Sequence, residues 1–179
     1  HASYMVADTD AGVAAVVDPR RDIEEYLADA KEAGVEIKYV IETHVHADFL
    51  SGHLEMAAAT GAEIIYGEAA DTEFAIRKVT DGERISLGEV TLEFRATPGH
   101  TPESISVVVY EHPDDETPYG VLTGDTLFIG DVGRPDLLVC DRGFAAAGIA
   151  AGIETIALAD LDAVVLGVAE RRERPVRVI

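Results

Sequence analysis

The chain has one cysteine, no tryptophan, only three lysines (Lys31, Lys38 and Lys78) and no long uninterrupted apolar run. Each scarcity excludes something. Cys140 alone cannot close an internal disulfide, which fits a reducing, cytoplasmic compartment. A small buried hydrophobe is a better reading of that cysteine than a reactive thiol. Without some ~18–20 consecutive apolar residues there is no candidate transmembrane helix. A basic segment followed by an apolar stretch and a small-residue cleavage site is not visible either, so no secretory signal is expected. Positive charge is scarce: 14 Lys and Arg stand against 34 Asp and Glu, a net charge of −20. Nucleic-acid phosphates would be repelled, so nucleic acid is excluded as a partner. An acidic, lysine-poor, alanine-rich surface is what a salt-adapted cytoplasm favours.

What is present is a chain of 179 residues with 47% hydrophobic residues, enough for one domain with a real core. No internal repeat or low-complexity tract interrupts it. "SYMVAD" and "VAAVVD" flank "TDAG" and read as a hairpin. "DIEEYLADAKEAG" reads as a helix with a capping-box start at Asp22 and Glu25. Ile23, Tyr26, Leu27 and Ala30 line one face, and Gly34 ends it. "EIKYVIET" is a mostly apolar, buried strand. Ser51 is placed to cap "GHLEMAAAT", which Gly61 closes. Further strands are read at "AEIIYG", "ISVVVYE" and "VLTGD", with a hairpin in "DGERISLGEVTLEFRAT", while "TEFAIRKV" is ambiguous. Helices and strands mixed with several hairpins point to an α/β sandwich over a doubly wound parallel sheet.

The residues that carry chemistry fall just past strands. His44 and His46 follow "KYVIET", His100 follows "LEFRATPG", and Asp125 follows "VLTG". Neutral imidazoles with a carboxylate suit zinc or iron, not calcium or magnesium. An H-x-H spacing in extended backbone puts both rings on one side, roughly 6–7 Å apart at the backbone. Gly99 and Gly124 directly precede His100 and Asp125, where glycine permits the tight turn that aims a ligand inward. His53 reads equally as surface or as part of the site wall, and His112, beside "PDDE", as loop surface. Thr123 and Thr126 either hydrogen-bond Asp125 or only finish the strand.

"THVHADFLSGH", "TPGHTPES" and "TGDTLFIGDVGRPDL" resemble the metallo-β-lactamase superfamily, and within it the persulfide dioxygenase branch. The resemblance covers about residues 2 to 138. It implies an α/β fold, a metallo-β-lactamase-like αββα sandwich, here expected to be incomplete on its C-terminal side. Hydrolytic relatives such as hydroxyacylglutathione hydrolase usually carry H-x-H-x-D-H and two further ligands downstream, and hold two metals. In this chain Phe49 occupies the place of the second-metal histidine, and no histidine follows His112. A two-metal site therefore lacks two ligands. The resemblance implies a single Fe(II) per chain held by His44, His100 and Asp125, the two-histidine, one-carboxylate triad of non-haem oxygenases, with zinc as the alternative metal. His46 and Asp48 would then orient ligands or substrate, or serve an alternative metal. Arg134, in "GDVGRPDL", would lie beside a thiol substrate and pair with a carboxylate of its carrier; a structural ion pair with Asp131 or Asp136 is the competing reading.

The implied activity is oxidation of glutathione persulfide, or a similar low-molecular-weight persulfide, with O₂ to sulfite and thiol. The alternatives are a zinc-dependent thioester hydrolase and a non-catalytic domain of the same fold. Residues 1–138 are assigned to the metal-binding core. Residues 139–179 are read either as a degenerate end of that domain or as a fragment of a rhodanese-like module. A half-finished sandwich would expose an apolar sheet face, so either further residues or a homodimer covering that face is expected.

Overall fold

The computed structural model describes residues 2–128, 131–133, 164–165 and 176–178. Strands β1 (Tyr4–Asp8) and β2 (Val13–Val17) form the expected antiparallel hairpin, with Tyr4 opposite Val17 and Asp8 opposite Val13. The two-residue period of these strands sends alternate side chains to opposite faces. Val6, Ala15 and Val17 turn toward the centre of the molecule, while Met5, Ala7, Ala14 and Val16 turn toward the helices.

Helix α1 (Glu24–Ala33) leads into β3 (Glu36–Ile41), and α2 (His53–Thr60) leads into β4 (Glu63–Gly67). Each helix is the crossover of a β-α-β unit, so β2, β3 and β4 pair in parallel. Strand β5 (Arg77–Val79) extends the parallel run, which settles the ambiguous "TEFAIRKV" as a short strand after a loop. One register shift, between Ala14 and Ala15 of β2, sets Lys38 out of the ladder so that Ile37 and Val40 face the helices and Ile41 the centre.

The second sheet is built by hairpins: β6 (Arg84–Ser86), β7 (Thr91–Ala96), β8 (Ile105–Tyr110) and β9 (Gly120–Leu122) are antiparallel neighbours. Past β9 the chain makes a two-stranded ribbon of β10 (Leu127–Phe128) and β11 (Asp131–Val132). Two strands from the C-terminal part edge the sheets. Strand β12 (Val164–Val165) lies parallel to β9, and β13 (Val176–Val178) antiparallel to β1. The remaining residues of 139–179 lie outside the described residues, as do Arg134 and Cys140.

Val6, Val17, Ile41 and Ile65 of the first sheet meet Leu92, Phe94, Val107 and Leu122 of the second in one buried core. Met5, Val16, Val40 and Met56 pack with Tyr26 and Ala30 in the layer under α1 and α2. Val108, Tyr110 and Val121 are buried on the opposite face of the second sheet.

Two capping expectations fail. Helix α1 begins at Glu24 with no side-chain cap bond; Asp22 accepts only from Glu24 N at 3.4 Å, and Glu25 pairs with Arg20 instead of closing a capping box. Helix α2 starts from Gly52, because the Ser51 hydroxyl donates to Glu42 Oε1 at 2.5 Å. Gly34 and Gly61 end the two helices as expected.

Candidate metal centre

Every candidate ligand sits on a loop that leaves the same end of the sandwich. His44 follows β3, His100 follows β7 and Asp125 follows β9, and their ligand atoms all lie within 4.8 Å of one another. The His44 and His100 rings meet edge to face with centroids 4.9 Å apart, and His100 Nε2 is 3.6 Å from Asp125 Oδ2. His44 is buried, whereas His100 and Asp125 keep some exposure, so the group has a dry wall and an open side.

Backbone close approaches build this corner. Gly124 adopts a left-handed φ of 51°, and a Cβ there would stand 2.4 Å from Thr43 Oγ1. A Cβ on Gly133 would stand 1.6 Å from the Asp125 carbonyl oxygen. Gly99 also takes a positive φ, 157°, which residues with a Cβ rarely adopt, in keeping with a glycine directly before His100. Thr123 donates to Leu127 O at 2.7 Å, and the Thr126 hydroxyl pairs with that of Thr97 at 3.0 Å; these bonds shape the loop around Asp125.

Behind His44 lies a second group, in which His46 meets two residues that sequence reading passed over, Asp18 and Glu42; their polar atoms again fall within 4.8 Å. Asp18 ends β2 with a φ of 47°, a left-handed conformation that aspartate tolerates better than most residues. Its Oδ1 accepts from Thr43 N at 2.8 Å and from His46 Nε2 at 3.0 Å, and its Oδ2 accepts from Thr43 Oγ1 at 2.8 Å. A carboxylate has no proton to offer, so His46 Nε2 is the donor, and in the neutral ring the lone pair then stands on Nδ1. Glu42 is fully buried, with Oε2 3.5 Å from His46 Nε2 and Oε1 3.4 Å from His53 Nδ1. The only signals for this group in the sequence were an aspartate closing the apolar strand of "VVDPR" and a glutamate inside the histidine stretch.

The two histidines of the H-x-H pair are driven apart electrically, although their ring centroids are 4.0 Å apart. Burial, and then the neighbouring His46, push the His44 imidazole down to about 4, so it is neutral at neutral pH. Burial alone would lower His46 too, but the hydrogen bond and charge of Asp18, with Glu42 and Asp48, outweigh it and raise His46. Burial raises Glu42 against the pull of His53 and Ser51. Asp48 itself is exposed and acts on His46 only through its charge. The Phe49 ring covers His46 at 4.4 Å between centroids. His53 lies inside, with its ring 5.0 Å from that of Phe74, and so belongs to the wall and not the surface. His112 is an exposed loop residue, 3.5 Å from Glu89.

Two facing sheets with two imidazoles and a carboxylate gathered at their strand ends define a metal-binding sandwich. The sequence profile described as the Metallo-beta-lactamase superfamily matches residues 1–171, and the chain belongs to that superfamily. The bovine mitochondrial persulfide dioxygenase ETHE1 is 31% identical over 136 residues, which is 75% of this chain and 51% of that protein. A hydroxyacylglutathione hydrolase of Rhodospirillum rubrum is 35% identical over 133 residues, 73% of this chain and 49% of that one. The chain thus spans about half the length of these curated relatives. A metallo-beta-lactamase crystal structure from Staphylococcus aureus superimposes with a TM-score of 0.78 at 36% identity, over 87% of this chain and 49% of that one. ETHE1 from Myxococcus xanthus superimposes with a TM-score of 0.77 at 22% identity, over 98% of this chain and 73% of that one, a likeness of fold. Among the described residues no helix is long and apolar enough to cross a membrane.

Proposed function

We propose that the chain is a mononuclear non-haem iron persulfide dioxygenase, oxidising glutathione persulfide or a similar low-molecular-weight persulfide with O₂ and water to sulfite and the free thiol. One observation carries the reading: the place that holds a second-metal histidine in the hydrolytic relatives is Phe49, whose ring lies against His46 and carries no donor atom for a metal. The donor set that remains, His44, His100 and Asp125, fits one divalent metal with open positions, and a neutral His44 suits ligation. Iron held there would supply the redox chemistry that joins O₂ to the persulfide sulfur.

The residues of the chain do the rest. His44 anchors the dry side of the site, while the partly exposed His100 and Asp125 border the side from which substrate enters. The Asp18–His46–Glu42 group keeps a compensated charge behind the ligands. Arg134 is proposed to receive a carboxylate of the thiol carrier and so to orient the persulfide toward the site. In a chain of net charge −20, a local arginine is what draws an anionic substrate in.

A zinc thioester hydrolase is the second reading, favoured by the hydrolase relative at 35% identity. Oxygen uptake by anaerobically Fe(II)-loaded protein on adding glutathione persulfide, with sulfite and bound iron measured in the same sample, separates the two. Uptake with sulfite, abolished together with iron retention in His100→Ala, supports the dioxygenase. Iron-loaded protein that takes up no oxygen, alongside a zinc form that cleaves an acylglutathione, would reverse the order.

A further inference from the structure

We propose that Thr43 is a positioning residue that fixes the tautomer of His44, holding the ring proton on Nδ1 and leaving Nε2 bare for the metal. The inference rests on His44 being a ligand, and it follows from counting protons. Thr43 Oγ1 lies 2.8 Å from Asp18 Oδ2 and 3.0 Å from His44 Nδ1, and all three residues are buried. The hydroxyl has one proton and the carboxylate oxygen has none. If that proton goes to Asp18, the hydroxyl lone pair can only accept, and His44 Nδ1 must be the donor. The opposite arrangement would point the hydroxyl at Nδ1 and leave two oxygen lone pairs facing each other at 2.8 Å in a buried place. It would also put the ring proton on Nε2, where a metal could not bind.

Asp18 cannot swing away to relieve such a clash. Its other oxygen is tied to Thr43 N and to His46 Nε2. Thr43 is fixed from the far side as well, because its Oγ1 and Cβ occupy the space where a Cβ on Gly124 would lie, at 2.4 and 2.7 Å. Gly124 directly precedes Asp125, so the loop carrying one ligand presses on the hydroxyl that sets the ring of another. The arrangement is a carboxylate–hydroxyl–imidazole chain, longer by one member than the direct carboxylate–histidine pairs that usually orient metal-bound imidazoles. Threonine suits the middle place because its branched side chain has few rotamers to lose.

The test compares the wild-type chain with T43S, which keeps the hydroxyl, and T43V, which keeps the shape. Apo-protein is titrated with Co(II), read by its visible absorption and by competition against a chelator. The tautomer of His44 in the metal-free chain is read by ¹⁵N correlation of the imidazole nitrogens. Expected are an Nδ1–H tautomer in wild type, near wild-type cobalt affinity in T43S, and a roughly 10- to 100-fold loss in T43V, the range typical for outer partners of ligand histidines. An Nε2–H tautomer in wild type overturns the proposal even if T43V does not fold. Equal affinity in wild type and folded T43V overturns it too. Failure of the wild-type chain to bind cobalt at all would instead bring down the metal reading beneath it.

Discussion

Replacing Asp8 by asparagine should cost the fold about 3–6 kcal/mol, the value of two charge-assisted hydrogen bonds at ~1.5–3 kcal/mol each. Asp8 ends β1, and its carboxylate collects four backbone donors. Oδ1 accepts from Asp10 N and Ala11 N at 3.0 and 2.9 Å, inside its own hairpin turn. Oδ2 accepts from Glu89 N and Val90 N at 2.7 and 3.3 Å, across to the turn between β6 and β7. One side chain thereby ties the first sheet to the second. Both oxygens are fully used, so either rotamer of an asparagine aims its NH₂ at two N–H groups. Two bonds go and two donors are stranded where the residue is only 2% exposed. Burial alone would raise the Asp8 carboxyl, but the four N–H groups outweigh it and hold it below its ordinary range. A folded value below the unfolded one of about 3.9 adds stability that is complete above that pH and fades as pH falls through the folded value. Urea unfolding followed by far-ultraviolet circular dichroism, at neutral pH and in steps down to acid, should show a constant gap between wild type and D8N that closes only in acid. A D8N chain within about 0.5 kcal/mol of wild type at neutral pH, the scatter of an ordinary surface change, would refute the reasoning, as would a gap that widens in acid.

Other outcomes follow from the same geometry. Phe49→His restores one of two missing second-metal ligands only, so metal analysis after reconstitution should still find one ion per chain; two would mean that the second site is closer to complete than the donors indicate. Gly133→Ala forces a methyl group against the Asp125 carbonyl and should weaken metal retention while costing about 1–3 kcal/mol or more, checked by equilibrium dialysis and thermal unfolding. The net charge of −20 makes the folded chain repel itself, so its melting temperature should rise between dilute buffer and molar salt; a maximum in dilute buffer would exclude salt adaptation.

The alternation of Tyr4 to Val17 and the apolar run of β3 made the first sheet legible, because strand faces repeat every two residues whatever lies beyond them. The same holds for His44, His100 and Asp125: strand ends are local features, and ligand types at three of them converge once the strands share a sheet end. Asp18 and Glu42 were not legible. Their meaning lies in contacts between β2, β3 and α2, and nothing in "VVDPR" announces a left-handed aspartate. Ser51 misled for a related reason, since a serine before a helix serves as cap only when no buried carboxylate competes for its hydroxyl. The ribbon of β10 and β11 was missed because two-residue strands carry no period.

The short strands β12 and β13 place the C-terminal part of the chain at the margins of both sheets at once. A polypeptide ended after residue 138 would keep every candidate ligand described above, yet it would leave β1 and β9 as open borders with unpaired amide and carbonyl groups. Such borders are templates for pairing with another chain. Ligands and sheet borders therefore come from different stretches of the chain: the candidate ligands all lie at or before Asp125, whereas β1 and β9 are paired by strands from beyond residue 163.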